Sequence, residues 1–147
     1  MSRVLVTGMS GAGKSTLLRA LDERGHPTVD TDEAGWKLAD GTWDEGSMTD
    51  LLADRVDIVV SGTVENQGRF YDRFEHVVLL TAPLEVLLER TATRTTNGYG
   101  KSAAERAEII EYIAAVEPLL ERGATLILDS RQPLEQLADT IARLLSP

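Results

Sequence analysis

Gly8-Met-Ser-Gly-Ala-Gly-Lys-Ser15 fulfils the whole pattern G-x-x-x-x-G-K-S/T close to the start of a 147-residue chain. Each fixed position answers a separate demand of a triphosphate. Gly8 and Gly13 let the backbone bend and approach an anion with no Cβ in the way. The backbone N–H groups from Gly11 through Ala12 and Gly13 to Thr16 are expected to turn inward as a nest at a helix N-terminus, with Ser10 on the loop. Lys14 carries a positive charge to the β- and γ-phosphates, and the Ser15 hydroxyl is of the type that ligates Mg²⁺. The flanks agree with this: Val4-Leu5-Val6 reads as a short buried strand, and Leu17, Leu18 and Leu21 mark the apolar face of the helix that follows.

Composition narrows the setting. A chain of this length makes one domain, residues 1–147, with a real core. Without cysteine there is neither a disulfide framework nor a Cys-type zinc site. The two histidines, His26 and His76, stand apart, each ahead of an expected strand, where edge or surface roles suit them better than metal binding. With 24 acidic against 15 basic residues and a formal charge of -9, a nucleic-acid surface is not expected. No leader pattern precedes the first strand, and no apolar run is long enough to span a bilayer, so the expectation is a cytoplasmic protein with no membrane partner.

Strands and helices alternate along the chain. A short strand ends near Val29, and the continuous apolar runs Asp57–Ser61 and His76–Thr81 read as strands buried on both faces of a parallel sheet. A last strand lies around Thr125–Leu128. Pro83 opens a helix, Ser102-Ala-Ala-Glu105 has the form of a capping box ahead of a long one, and Pro133 opens the last. Five strands alternating with helices predict a three-layer α/β/α domain.

Two further stretches carry candidate chemistry. Asp30-Thr31-Asp32 closes the second strand at its carboxyl end, where open α/β sheets bind ligands. Asp30 would serve the metal beside Ser15, and Asp32 would accept a proton from an attacking hydroxyl; the plainer alternative is an acidic turn. Arg90 and Arg94 fall four residues apart on one helix face, before Asn97-Gly-Tyr-Gly100 and Lys101, and read as a short lid over about residues 90–105; the plainer alternative for the arginines is a solvated helix face with ion pairs to Glu89.

With these motifs in place, the chain resembles shikimate kinase and its relatives among the small P-loop kinases, with nucleoside monophosphate kinases and gluconate kinase as more distant members. The likeness rests on Gly8–Ser15, on Val29-Asp30-Thr31-Asp32-Glu33, on Ser61-Gly62-Thr63, on the stretch Leu87 to Arg94, and on Val116-Glu117-Pro118-Leu119 through Asp129-Ser130-Arg131. It implies a P-loop NTPase fold with a five-stranded parallel sheet in the order 2-3-1-4-5, and the use of ATP and Mg²⁺. Lys14, Asp32, Arg90 and Arg94 would be catalytic, Gly62 and Thr63 would touch the acceptor, and Arg131 would lie on the adenine.

The departures concern the acceptor. The segment of about residues 33–56 is shorter than in that family, and its one arginine, Arg55, adjoins the third strand; Val116 stands where the family has a second carboxylate-binding arginine. Without both forks, bidentate recognition of a carboxylate is lost, which argues against a true shikimate kinase. Trp36 and Trp43 both fall in this segment and either stack on an acceptor or pack onto the sheet. Two functional readings follow. One is a kinase moving the γ-phosphoryl of ATP to a hydroxyl or phosphate of a small metabolite; the other is a non-catalytic or slowly hydrolysing nucleotide-binding module that signals to a protein partner. No Asn-Lys-x-Asp motif for guanine occurs.

Overall fold

The computed structural model describes residues 2–9, 11–92 and 102–145. Five strands, β1 (Arg3–Thr7), β2 (Thr28–Asp30), β3 (Ile58–Ser61), β4 (His76–Thr81) and β5 (Leu126–Asp129), alternate with helices α1 (Lys14–Glu23), α2 (Glu45–Asp54), α3 (Leu84–Ala92), α4 (Ala103–Gly123) and α5 (Leu134–Leu145). The sheet is wholly parallel and runs β2-β3-β1-β4-β5. Both the topology and the three layers agree with the expected fold.

Alternation along the strands divides the interior in two. Val4 and Val6 of β1, Val59 of β3 and Val78 and Leu80 of β4 meet α1, α3, α4 and α5 through Leu17, Leu21, Leu87, Leu120 and Ile141. Leu5, Ile58, Val60 and Val77 meet α2 and a 3-10 segment, Gln67–Arg73, through Met48, Leu52, Phe70 and Phe74. Burying both faces is what a parallel sheet requires, and the continuous apolar runs of β3 and β4 supply it. The C-terminal helix is the clearest amphipathic element: Leu137, Ala138, Ile141 and Leu145 form its buried stripe. Arg24 at the end of α1 reaches Asp139 of α5 at 2.8 Å.

Two elements lie where no helix was expected. Trp36 to Asp44 forms a small antiparallel turn, with Asp44 N–H donating to Trp36 O at 2.8 Å and Leu38 N–H to Thr42 O at 2.8 Å. Helix α2 follows directly. Asp44 caps it, accepting from Ser47 N–H at 3.1 Å, and Met48 and Leu52 are its buried face.

The sheet's carboxyl edge is tightly packed. A Cβ on Gly62, just past β3, would sit 2.2 Å from Thr31 Oγ1 and 3.4 Å from the Trp43 indole. Thr31 is itself buried and donates to Ser61 O at 2.8 Å, so it has nowhere to go. Gly62→Ala is therefore expected to destabilise the fold by about 1–3 kcal/mol. Urea denaturation checks it, and a wild-type midpoint in the variant would contradict this packing.

Candidate active site

The loop after β1 is shaped from both sides. Gly11 and Gly13 take φ of 89° and 95°, which side chains rarely tolerate. Gly8 is needed for room instead: a Cβ there would lie 2.5 Å from the Leu80 carbonyl oxygen of β4. Behind the loop, Thr63 Oγ1 accepts from Gly8 N–H at 3.1 Å and donates to Gly8 O at 2.6 Å. Lys14 Nζ donates to the same Gly8 carbonyl. Gln67 extends the support, donating through Nε2 to Thr7 Oγ1 at 3.1 Å, which lies 3.0 Å from Thr63 Oγ1.

Helix α1 begins at this loop with no side-chain cap, its first bond running from Leu17 N–H to Gly13 O. The donors of its first turn, at Ser15 and Thr16, give the cleft the positive end of a helix. Within the loop, Ala12 N–H turns back to Met9 O at 3.0 Å; this donor belongs to the loop's own turn and departs from the expected nest. From the other side Arg90, on α3, donates through one nitrogen to Gly11 O at 2.9 Å and to Ser130 Oγ at 3.0 Å. The cleft enclosed, roughly 560 Å³, is lined by Gly8, Met9, Gly11, Gly13, Lys14, Ser15, Thr16, Asp32, Thr63, Arg90 and Tyr112. A smaller recess continues past Ala12, Gly13 and Thr16 to Ser130, Gln132, Leu134 and Leu137.

The two acids leave the end of β2 in different directions. Asp30 Oδ2 accepts from Ser15 Oγ at 3.3 Å and its Oδ1 from Asp32 N–H at 2.9 Å. Asp32 lines the phosphate cleft and pairs with Lys37 Nζ at 2.8 Å. Asp30 instead faces a neighbouring groove with Arg19, Asp22, Glu33 and Trp36. A hydroxyl and a carboxylate are thus adjacent beside the loop. Among the described residues no group of three or more His, Cys, Asp or Glu could hold a metal. That donor set fits Mg²⁺, which takes one or two protein oxygens and otherwise keeps waters and phosphates.

Several expected site residues lie elsewhere. Trp43 is fully buried, edge-on to Phe70 at 5.9 Å between ring centroids, and belongs to the core under α2. It is not open to an acceptor. Trp36, on the opposite strand of the small turn, is half-buried and walls the groove beside Asp30. Gly62 is buried against Thr31 and Trp43, and the cleft is lined by Thr63 in its place. Arg131 does not line the recess past the loop, although Ser130 and Gln132 do. Its guanidinium is bonded to Asp129, Nη2 to Oδ2 at 2.7 Å and Nε to Oδ1 at 3.1 Å, and these bonds hold the Asp129 carboxyl down to about 2. Ser10, Arg94 and residues 93–101 of the expected lid lie outside the described residues.

Tyr112 on α4, Met9 on the loop, and Gln67 behind it were not anticipated. Tyr112 had a legible signal, the i, i+4, i+7 series Tyr112, Val116 and Leu119. Gln67 had none, because a lone amide after a strand points to no particular partner.

Comparison with known proteins agrees with this fold. A family model described as an AAA domain matches residues 4–111. A nucleotide-binding protein of Gluconobacter oxydans is 30% identical over 158 residues, covering 93% of this chain and 45% of its own length, so the chain spans about half of that relative. Shikimate kinase 2 of Yersinia enterocolitica is 27% identical over 168 residues, covering 97% of this chain and 95% of its own. The solved shikimate kinase of Acinetobacter baumannii, in complex with shikimate, superposes with a TM-score of 0.73 at 21% identity over 98% of this chain and 92% of that one.

Proposed function

The chain belongs to the AAA domain family and has the fold of the small P-loop kinases, and from that premise we propose that it is an ATP- and Mg²⁺-dependent phosphotransferase. The phosphoryl group would pass to a hydroxyl or phosphate of a small metabolite, within one domain spanning residues 1–147. The observation that carries this reading is the meeting of Lys14, Asp32 and Arg90 on one cleft. A nucleotide sensor that does no chemistry needs the loop and the lysine but not a carboxylate on the same cleft; a hydrolysing module could use it on water, and the screen below separates that case.

In this reading, the first-turn donors at Ser15 and Thr16 and the Lys14 ammonium hold the β- and γ-phosphates, and Gly8 and Gly13 let them approach. Ser15 and Asp30 would hold Mg²⁺, which when bound neutralises phosphate charge. Arg90, from the side of α3, donates to the transferring group, whose negative charge spreads over its outer oxygens. Arg94 is assigned the same task from the lid. Asp32 orients the attacking hydroxyl and takes its proton. Ala12, Thr16 and Ser130 border the recess that suits the nucleoside.

The second reading, a nucleotide-binding module that signals to a protein partner, draws on the name of the Gluconobacter relative. An ATP-dependent phosphorylation screen over a metabolite library separates the two: a phosphorylated product that forms saturably supports the kinase, and ADP without any product supports the module. We also place the activity in the cytoplasm, with neither nucleic acid nor membrane as partner. The acidic balance speaks against a nucleic-acid partner, and no helix among the described residues is long and apolar enough to cross a membrane.

Lys14→Ala is expected to weaken MgATP binding by about 10- to 100-fold, the value of a charge-assisted contact of roughly 1.5–3 kcal/mol, with the fold intact. The side chain serves the loop and not either core cluster. Calorimetric titration measures it, and unchanged affinity would remove the lysine from the site.

A further inference from the structure

Next to the phosphate cleft is a second pocket of roughly 450 Å³, walled by Val64, Tyr71, Tyr112, Val116, Leu119 and Leu120. It lies between the 3-10 segment and α4 and shares Thr63 and Tyr112 with the cleft, so a molecule seated in it abuts the phosphate loop. Its chemistry differs from that of the cleft. Among the described residues lining it, Glu65 alone carries charge, and that charge is negative. An anion entering would lose hydration and meet no cation among the described residues that line the pocket.

The polar groups at its floor are already engaged with one another. Gln67 gives its amide hydrogens to Thr7 Oγ1 and to Tyr71 Oη at 3.1 and 2.8 Å, and its Oε1 accepts from Val64 N–H at 2.9 Å. Tyr71 accepts that bond and keeps its own hydroxyl proton to give. The apolar wall, in contrast, is uncovered: Tyr112 and Leu119 are 54% and 57% exposed on the α4 face that carries Val116. The 3-10 segment is seated closely against α4, because a Cβ on Gly123 would lie 2.2 Å from the Tyr71 ring.

We propose that this pocket holds the non-reacting part of the phosphoryl acceptor, and that the acceptor is an alcohol bearing an uncharged apolar or aromatic group. The proposal rests on the kinase reading and adds the substrate class to it. The alcohol oxygen forms a bond to the γ-phosphorus, the bond from that phosphorus to the β,γ-bridging oxygen breaks, and ADP leaves with the electron pair. The hydroxyl proton goes to Asp32, which lines the same cleft as Thr63. An apolar group in the pocket would cover Tyr112 and Leu119 and exclude water from the attacking oxygen.

The test is a methyl-detected NMR titration of the full chain, loaded with Mg²⁺ and a non-hydrolysable ATP analogue. The probes are cyclohexylmethanol, its matched anion cyclohexanecarboxylate, and glycerol. Saturable shifts at Val64, Val116, Leu119 and Leu120 are expected with cyclohexylmethanol, and binding at least about tenfold weaker with the carboxylate, which would bury an unpaired charge. Leu119→Glu, at an exposed position, should abolish the shifts and leave the loop's response to nucleotide unchanged. Absence of shifts with cyclohexylmethanol, or equal binding of the carboxylate or glycerol, overturns the proposal. ADP release, followed with MgATP in parallel over a set of apolar alcohols and acids, keeps the two readings apart. Methyl shifts with no ADP release from any alcohol would overturn the kinase reading while upholding the pocket's preference, whereas transfer to acids alone would overturn the assignment of the acceptor.

Discussion

Asp32→Asn is expected to lower the proposed phosphoryl transfer by about 10²- to 10⁴-fold, with MgATP affinity staying close to wild type. Asparagine keeps the shape of the side chain and its reach into the cleft, but it cannot take a proton. In the proposed reading the nucleotide's contacts would come from the loop, from Lys14 and from Arg90, whose own bonds run to Gly8 O, Gly11 O and Ser130 Oγ, whereas Asp32 pairs with Lys37. Lys37 loses its ionic partner in the variant, but the Asp32 side chain is 60% exposed and that of Lys37 34%, so solvent screens the pair and its loss is a small matter for stability. The neighbouring substitution should behave differently. Asp30→Asn alters the carboxylate beside Ser15, so it raises the Mg²⁺ requirement and weakens MgATP binding. Measuring both variants against Mg²⁺ and ATP, with an acceptor found by the screen, decides the division of labour. Equal and small losses in the two would make Asp30-Thr31-Asp32 an ordinary acidic turn.

The second large effect is on stability. Trp43→Ala should cost about 3–5 kcal/mol, because the indole is fully enclosed by Phe70 and the buried face of α2. The backbone at this position is also held, with Trp43 N–H donating to Asn66 Oδ1 at 3.0 Å and Trp43 O accepting from Asn66 Nδ2 at 3.1 Å. The ring's Nε1 is buried without a hydrogen-bond partner among the described residues. Trp43→Phe removes that donor while keeping an aromatic ring, and its cost should be well below that of alanine. Trp36→Ala, at a half-buried position, should cost less than about 1.5 kcal/mol. Urea denaturation of the three variants measures the order. A Trp36 variant as unstable as Trp43→Ala would mean that both rings serve the core alike.

These two tryptophans show where sequence is silent. The loop was legible because a triphosphate restricts residue type at every fixed position, and β3 and β4 were legible because a strand buried on both faces admits few polar residues. The sheet order was different: nothing in periodicity ranks strands across a sheet, and 2-3-1-4-5 was available only through resemblance. In the segment of residues 33–56, Trp36 and Trp43 are chemically identical in the sequence. Which of them reaches solvent is decided by the turn that pairs Lys37 with Trp43. Helix α2 had its signals, an Asp44 cap followed by Met48, Leu51 and Leu52, but a polar segment between two strands reads as readily as a binding loop. Gly62 misled for a similar reason. A glycine beside a site serves close approach of a ligand or close approach of the protein itself, and here Thr31 fills the space.

The carbonyl of Gly8 accepts from two donors, the Lys14 ammonium and the Thr63 hydroxyl. A lysine that leaves to meet a phosphate would ordinarily strand its former acceptor, and a stranded buried carbonyl resists the departure. Here the Thr63 hydroxyl remains behind as a standing substitute, itself steadied by Thr7 and Gln67. On the proposed reading, then, the lysine could change partners while the Gly8 carbonyl keeps a donor and that bond of the loop stays in place.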